Sequence, residues 1–75
     1  MPTLTDTFAA LGDPTRFAIV ECLLKDGELP AGTLHDLADL SAPAMSRHLK
    51  VLRTAGVVRQ RIDKQRRLYS IEPQA

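Results

Sequence analysis

Leu40-Ser41-Ala42-Pro43-Ala44-Met45-Ser46-Arg47-His48-Leu49-Lys50-Val51-Leu52 is the stretch on which the reading of this chain turns. Ser41 is a good helix N-cap, and a helix is expected from about Ala42 to Thr54, ended by Gly56. Met45, Leu49 and Leu52 recur at steps of four and three, so they share one side and face a core. At 100° per residue, Pro43, Arg47, Lys50 and Thr54 lie opposite, flanked by Ser46 and Arg53. The small residues at its start (Ala42, Pro43, Ala44, Ser46) allow its backbone to approach another surface closely. The helix thus has an apolar back, a cationic front and a slender N-terminus.

Upstream, Leu4 to Leu11 reads as a short helix with Leu4, Phe8 and Leu11 on one side, and Gly12 is expected to end it in a left-handed conformation. Asp13 caps a second helix, about Pro14 to Lys25, with Pro14 at its first position. Phe17, Ala18, Ile19, Val20, Cys22, Leu23 and Leu24 make this helix apolar nearly all round, which predicts a place in mid-core. Asp26-Gly27 closes it, and Glu28-Leu29 suits a short extended stub. A third helix runs from about Ala31 to Asp39 and is separated from the fourth by two or three residues, the spacing of a helix-turn-helix. Beyond Gly56 the period shortens. Residues 57–62 and 67–71 read as two strands around the polar turn Asp63-Lys64-Gln65-Arg66. The expected fold is mainly α with a small β-hairpin: a winged helix-turn-helix of four helices and a two-stranded wing, one domain over residues 1–75.

Composition sets bounds. With 44% hydrophobic and 25% charged residues the 75-residue chain suits a globular fold and argues against disorder. No apolar run approaches the roughly 20 residues of a membrane helix, no basic residue precedes an apolar stretch at the N-terminus, and Cys22 has no second cysteine to pair with. A cytoplasmic protein, nucleoid-associated in a bacterium, is therefore expected. The net charge of +1 conceals an asymmetry. Residues 1–46 hold two basic and seven acidic side chains, net −5, whereas residues 47–75 hold eight basic and two acidic, net +6. An anionic partner is implied for the C-terminal part.

Double-stranded DNA is that partner on chemical grounds. A helix fits the major groove, where Arg47 and Lys50 on the outer face can reach base edges and phosphates. Lys64, Arg66 and Arg67 at the hairpin tip, preceded by Arg59 and Arg61, would meet the neighbouring backbone or minor groove. The alternative from another class is a winged-helix protein-interaction module, since the fold serves many roles.

Leu11-Gly12-Asp13-Pro14-Thr15-Arg16, the Ser46-Arg47-His48-Leu49-Lys50-Val51-Leu52 segment, Ala55-Gly56-Val57-Val58 and Arg67-Leu68-Tyr69 together resemble the ArsR/SmtB family of bacterial winged-helix repressors, over about residues 8 to 71. The resemblance implies a homodimeric repressor that occupies a palindromic operator and leaves it on a signal, with groove contacts from Ala42, Pro43, Ser46 and Arg47. Many members sense metals through two cysteines at the start of the third helix. Pro30 and Gly32 stand at those positions here and neither can ligate a metal, so this sensing mode, and any cofactor, is not expected. The family closes its dimer with a helix after the wing. Here either the dimer rests on the first helix through residues such as Leu4 and Phe8, or the chain is truncated. Lys64 occupies a turn position that usually carries glycine, which predicts strain and a mobile wing tip.

The remaining candidates have plain readings. His48 reads as a half-buried structural side chain, with DNA contact or pH tuning as the lesser alternative. His35 reads as a lone exposed histidine, Cys22 as a small buried hydrophobe, Tyr69 as a core or wing-base side chain, and Arg16 as a salt-bridge former at a helix start. No serine lies in a glycine-rich elbow, no phosphate loop exists and no carboxylates pair in a cleft, so an enzyme is not expected.

Overall fold

A computed structural model of the chain describes residues 3–73. Helices α1 (Leu4–Leu11), α2 (Pro14–Asp26), α3 (Ala31–Ala38) and α4 (Ala42–Thr54) are joined by strands β1 (Leu29–Pro30), β2 (Val58–Asp63) and β3 (Arg66–Ile71). The helix starts are chemically explicit. Thr3 and Asp6 form a reciprocal capping box on α1. Asp13 accepts from the amides of Thr15 and Arg16 at 2.8 and 3.1 Å ahead of Pro14, and Ser41 accepts from the amide of Ala44 at 3.3 Å. Helix α3 has no such cap, because Pro30 occupies that position.

One core joins all the helices to the sheet. It comprises Ala10, Ile19, Val20, Leu23, Leu34, Met45, Leu49, Leu52, Ala55, Val57, Val58 and Tyr69, with Leu34 and Leu52 sealed from solvent. Met45, Leu49 and Leu52 lie inward on α4, as their spacing predicts. Helix α2 departs from expectation. Only Ile19, Val20 and Leu23 of its helical run are buried, while Phe17 and Leu24 remain 50% and 69% exposed. It covers one side of the core instead of crossing its middle, since a four-helix domain this small has no second layer to place over it.

Two helix ends also differ. Gly12 has φ −72°, an ordinary right-handed value, because the chain passes directly into the Asp13 cap. The left-handed residue in the turn between α3 and α4 is Asp39, at φ 51°, ψ 41°. The glycines that do require positive φ are Gly27 (78°) and Gly56 (75°), each just after a helix.

The sheet has the order β1-β3-β2, antiparallel throughout. The stub at residues 29–30 is therefore a third strand, with Leu29 opposite Tyr69 and Pro30 opposite Leu68. In the wing Gln60 pairs with Tyr69, Arg61 with Leu68, Ile62 with Arg67 and Asp63 with Arg66. Only Lys64 and Gln65 remain as the turn, two residues instead of four. Lys64 takes φ 60°, the positive first position that glycine usually fills in such hairpins.

Candidate nucleic-acid interface

Helix α4 presents the polar side that its period predicts. Ala42, Pro43, Ser46, Arg47 and Lys50 are all exposed, opposite the buried Met45, Leu49 and Leu52. Arg47 lines a shallow hollow with Arg16, Ala44, His48 and Val51, and the first turn of the helix carries no acidic residue to oppose an incoming anion. His48 is half-buried, as its flank position suggests.

The pleat of the wing sorts its cations into two sets. Successive side chains of a strand alternate between faces, and residues paired across strands share a face. Gln60, Tyr69, Ile62 and Arg67 form the set facing α4. The Tyr69 hydroxyl donates to Gln60 Oε1 at 2.8 Å, and Arg53 of α4 donates to the same oxygen at 3.2 Å. Arg67 lines a 180 Å³ hollow with Ala42, Met45 and Ser46 of α4 and Gly32 and His35 of α3. It therefore stands beside the small-residue start of α4. Lys64 is exposed at the tip.

Arg59, Arg61 and the exposed Arg66, which pairs with Asp63 next to the tip, belong to the other face. Arg59 Nε donates to Ser70 Oγ at 3.4 Å. Arg61 grips Glu28 with both arms of its fork, Nε to Oε2 at 2.8 Å and Nη2 to Oε1 at 2.7 Å. Hydrogen bonding from Arg61 holds the Glu28 carboxyl below the usual carboxylate range, and Glu28 raises the Arg61 guanidinium in turn. Arg61, expected among the contacts to DNA, is thus turned away from Arg67 and α4 and engaged by a carboxylate. Sequence reasoning passed over Glu28 and Gln60. Alternation along β2, counted from the register of the hairpin, was the signal that could have found Gln60, whereas Glu28 reaches Arg61 only through the long-range pairing of β1 with β3.

Three further expectations are corrected. Among the described residues Arg16 forms no salt bridge: its Nε donates to the Ala10 carbonyl at 2.6 Å and Nη2 to that of Ala9 at 3.4 Å, closing the end of α1, while Nη1 lies 3.4 Å from His48 Nδ1. His35 is half-buried, not exposed, and its Nε2 is buried with no hydrogen-bond partner among the described residues. Cys22 is half-buried and packs on the core. Leu4 and Phe8 stand 72% and 67% exposed on α1. Pro30 lies in β1 and Gly32 in α3. No group of three potential metal-ligating side chains comes together among the described residues, and no helix in that range is long and apolar enough to cross a membrane.

Two closely spaced helices, the second polar-faced, followed by a hairpin that lays a cation beside it, define a winged helix-turn-helix domain. The model of the helix-turn-helix domain family matches residues 11–61. The chain belongs to the ArsR family of helix-turn-helix transcriptional regulators. A crystal structure of an ArsR family transcriptional regulator superposes with a TM-score of 0.87 at 30% identity, over 95% of this chain and 77% of that one. The HTH-type transcriptional regulator Rv2034 of Mycobacterium tuberculosis is 48% identical over 64 residues, covering 85% of this chain and 59% of that protein. The transcriptional repressor SdpR of Bacillus subtilis is 38% identical over 55 residues, covering 73% of this chain and 60% of the repressor. The chain thus spans about three fifths of the length of these curated relatives.

Proposed function

We propose that this protein is a sequence-specific DNA-binding transcriptional repressor, acting in the cytoplasm at the nucleoid. The observation that carries the reading is the shared surface of α4 and the wing. Arg47 and Lys50 stand outward on a helix whose start is small enough to enter a groove, and Arg67 lies beside that start. Ala42, Pro43 and Ser46 bring the helix backbone close to the bases. Arg47 reads a base edge, and Lys50, Lys64, Arg66 and Arg67 neutralise phosphates. The naming of similar proteins as a transcriptional regulator and a repressor supports the same conclusion.

Arg47→Ala, tested against a duplex selected from a random pool, is expected to lose about 1–3 kcal/mol of binding and to relax sequence preference. Unchanged affinity would remove Arg47 from the groove. The same reading takes the working form as a homodimer on a palindromic site, joined through the exposed Leu4 and Phe8 of α1. The molecule measures 32 × 23 × 22 Å, so a single copy offers one reading helix, whereas half-sites lie about 34 Å apart. Sedimentation is expected to show a dimer that Phe8→Glu dissociates; a monomeric parent chain would refute this assembly.

A further inference from the structure

The ion pair on the outer face of the wing has a structural setting that gives it a task. Strand β1 is two residues long, and Pro30, opposite Leu68, has no N–H to give to the ladder. The pairing that joins the wing to the start of α3 is therefore thin. Leu68 is only 7% exposed, although it lies outside the main core cluster and its pleat position faces away from Tyr69. Its neighbours in register are Pro30 on one side and Arg61 on the other. Arg61 reaches from β2 past β3 to Glu28, the residue immediately before β1, and its bidentate grip closes over this patch.

We propose that Glu28 and Arg61 form a strap that fixes the wing against the start of α3, making Arg61 a positioning residue and not a phosphate contact. The proposal rests on the DNA-binding reading above. Its logic is geometric. The guanidinium fork that would grip a phosphate already holds a carboxylate. Freed of the strap, the wing would keep its charges but lose the fixed placement of Lys64, Arg66 and Arg67 relative to α4.

Charge and geometry give opposite signs when Glu28 is neutralised, and that separates the possibilities. Binding of a random duplex is measured over a salt series for the parent chain, Glu28→Gln, Arg61→Ala and the swap Glu28→Arg with Arg61→Glu, each checked for folding by circular dichroism. The strap predicts that Glu28→Gln weakens binding about threefold even though it removes a negative charge. Arg61→Ala should weaken binding at least as much with an unchanged slope of log affinity against log salt, and the swap should restore affinity to within about twofold. A rise in affinity for Glu28→Gln would mean that the carboxylate merely masks Arg61. A slope shallower by about 0.9 for Arg61→Ala would mark a direct phosphate contact. Either result, or a folded swap that restores nothing, overturns the proposal. Hydrogen exchange without DNA separates its failure from that of the functional reading. If the parent chain ignores DNA, the functional reading fails, and the strap is then judged by the amides paired between β1 and β3. These should exchange faster in Arg61→Ala than in the parent, and equal rates would refute the strap.

Discussion

Leu52 has no exposed surface and sits where α4 meets the rest of the core. Replacing it with alanine removes buried methyl groups and leaves a cavity, at a cost of about 2–5 kcal/mol. A domain of this size has a total stability of about 4–11 kcal/mol, so Leu52→Ala is expected to lower the Tm sharply, and thermal unfolding followed by circular dichroism checks it. Val51 on the same helix is 40% exposed, and its alanine variant is the control that should change little. Other single positions were harder to read from sequence. Asp39 takes a left-handed conformation that glycine or asparagine would have announced, and an aspartate gives only a weak signal for it. Arg16 looked like an ion-pair former, but it satisfies the carbonyls ending α1, a partner that no residue code names.

Elements with strong local chemistry were legible in full. Helix α4 has the expected bounds, Ala42–Thr54, because a serine cap, a three-residue apolar stripe and a terminal glycine all agree. Strand β1 was legible only as an extended stub, because its pairing with β3 is a long-range event and two residues carry no period. The wing strands were legible as strands, yet the division of their arginines between faces needed the register. The element ends also carry the pH response. Asp13, at the start of α2, is held below the usual carboxylate range first by the Arg16 amide, and Glu28 by the Arg61 guanidinium. A lowered pKa in the fold means that folding favours the charged form. The stability these groups supply is therefore complete above the ordinary carboxylate range, near pH 4, and is lost as pH falls through their depressed values. The Tm is expected to be level from pH 7 to about 5 and to drop below pH 4. The drop should be smaller in the double variant Asp13→Asn, Glu28→Gln, and an identical drop in parent and variant would contradict it.

At the scale of the whole molecule, the division of charge matters more than the sum. The net-acidic part, residues 1–46, spans α1 to α3, the turn after them and the start of α4, while the basic side chains beyond residue 46 sit on the rest of α4 and the wing. Both could be read from sequence, since charge counts need no coordinates. What the coordinates add is that Arg47, Lys50, Lys64, Arg66 and Arg67 remain exposed, whereas Arg61 is engaged by Glu28 and Arg53 by Gln60. The most direct test of the account is the salt dependence of binding to duplex DNA by the parent chain, followed by fluorescence anisotropy from low to physiological salt. Four to five phosphate contacts predict a slope of log affinity against log salt of about −4. No measurable binding at low salt, or a slope near zero, would contradict the claim that α4 and the wing together grip a polyanion.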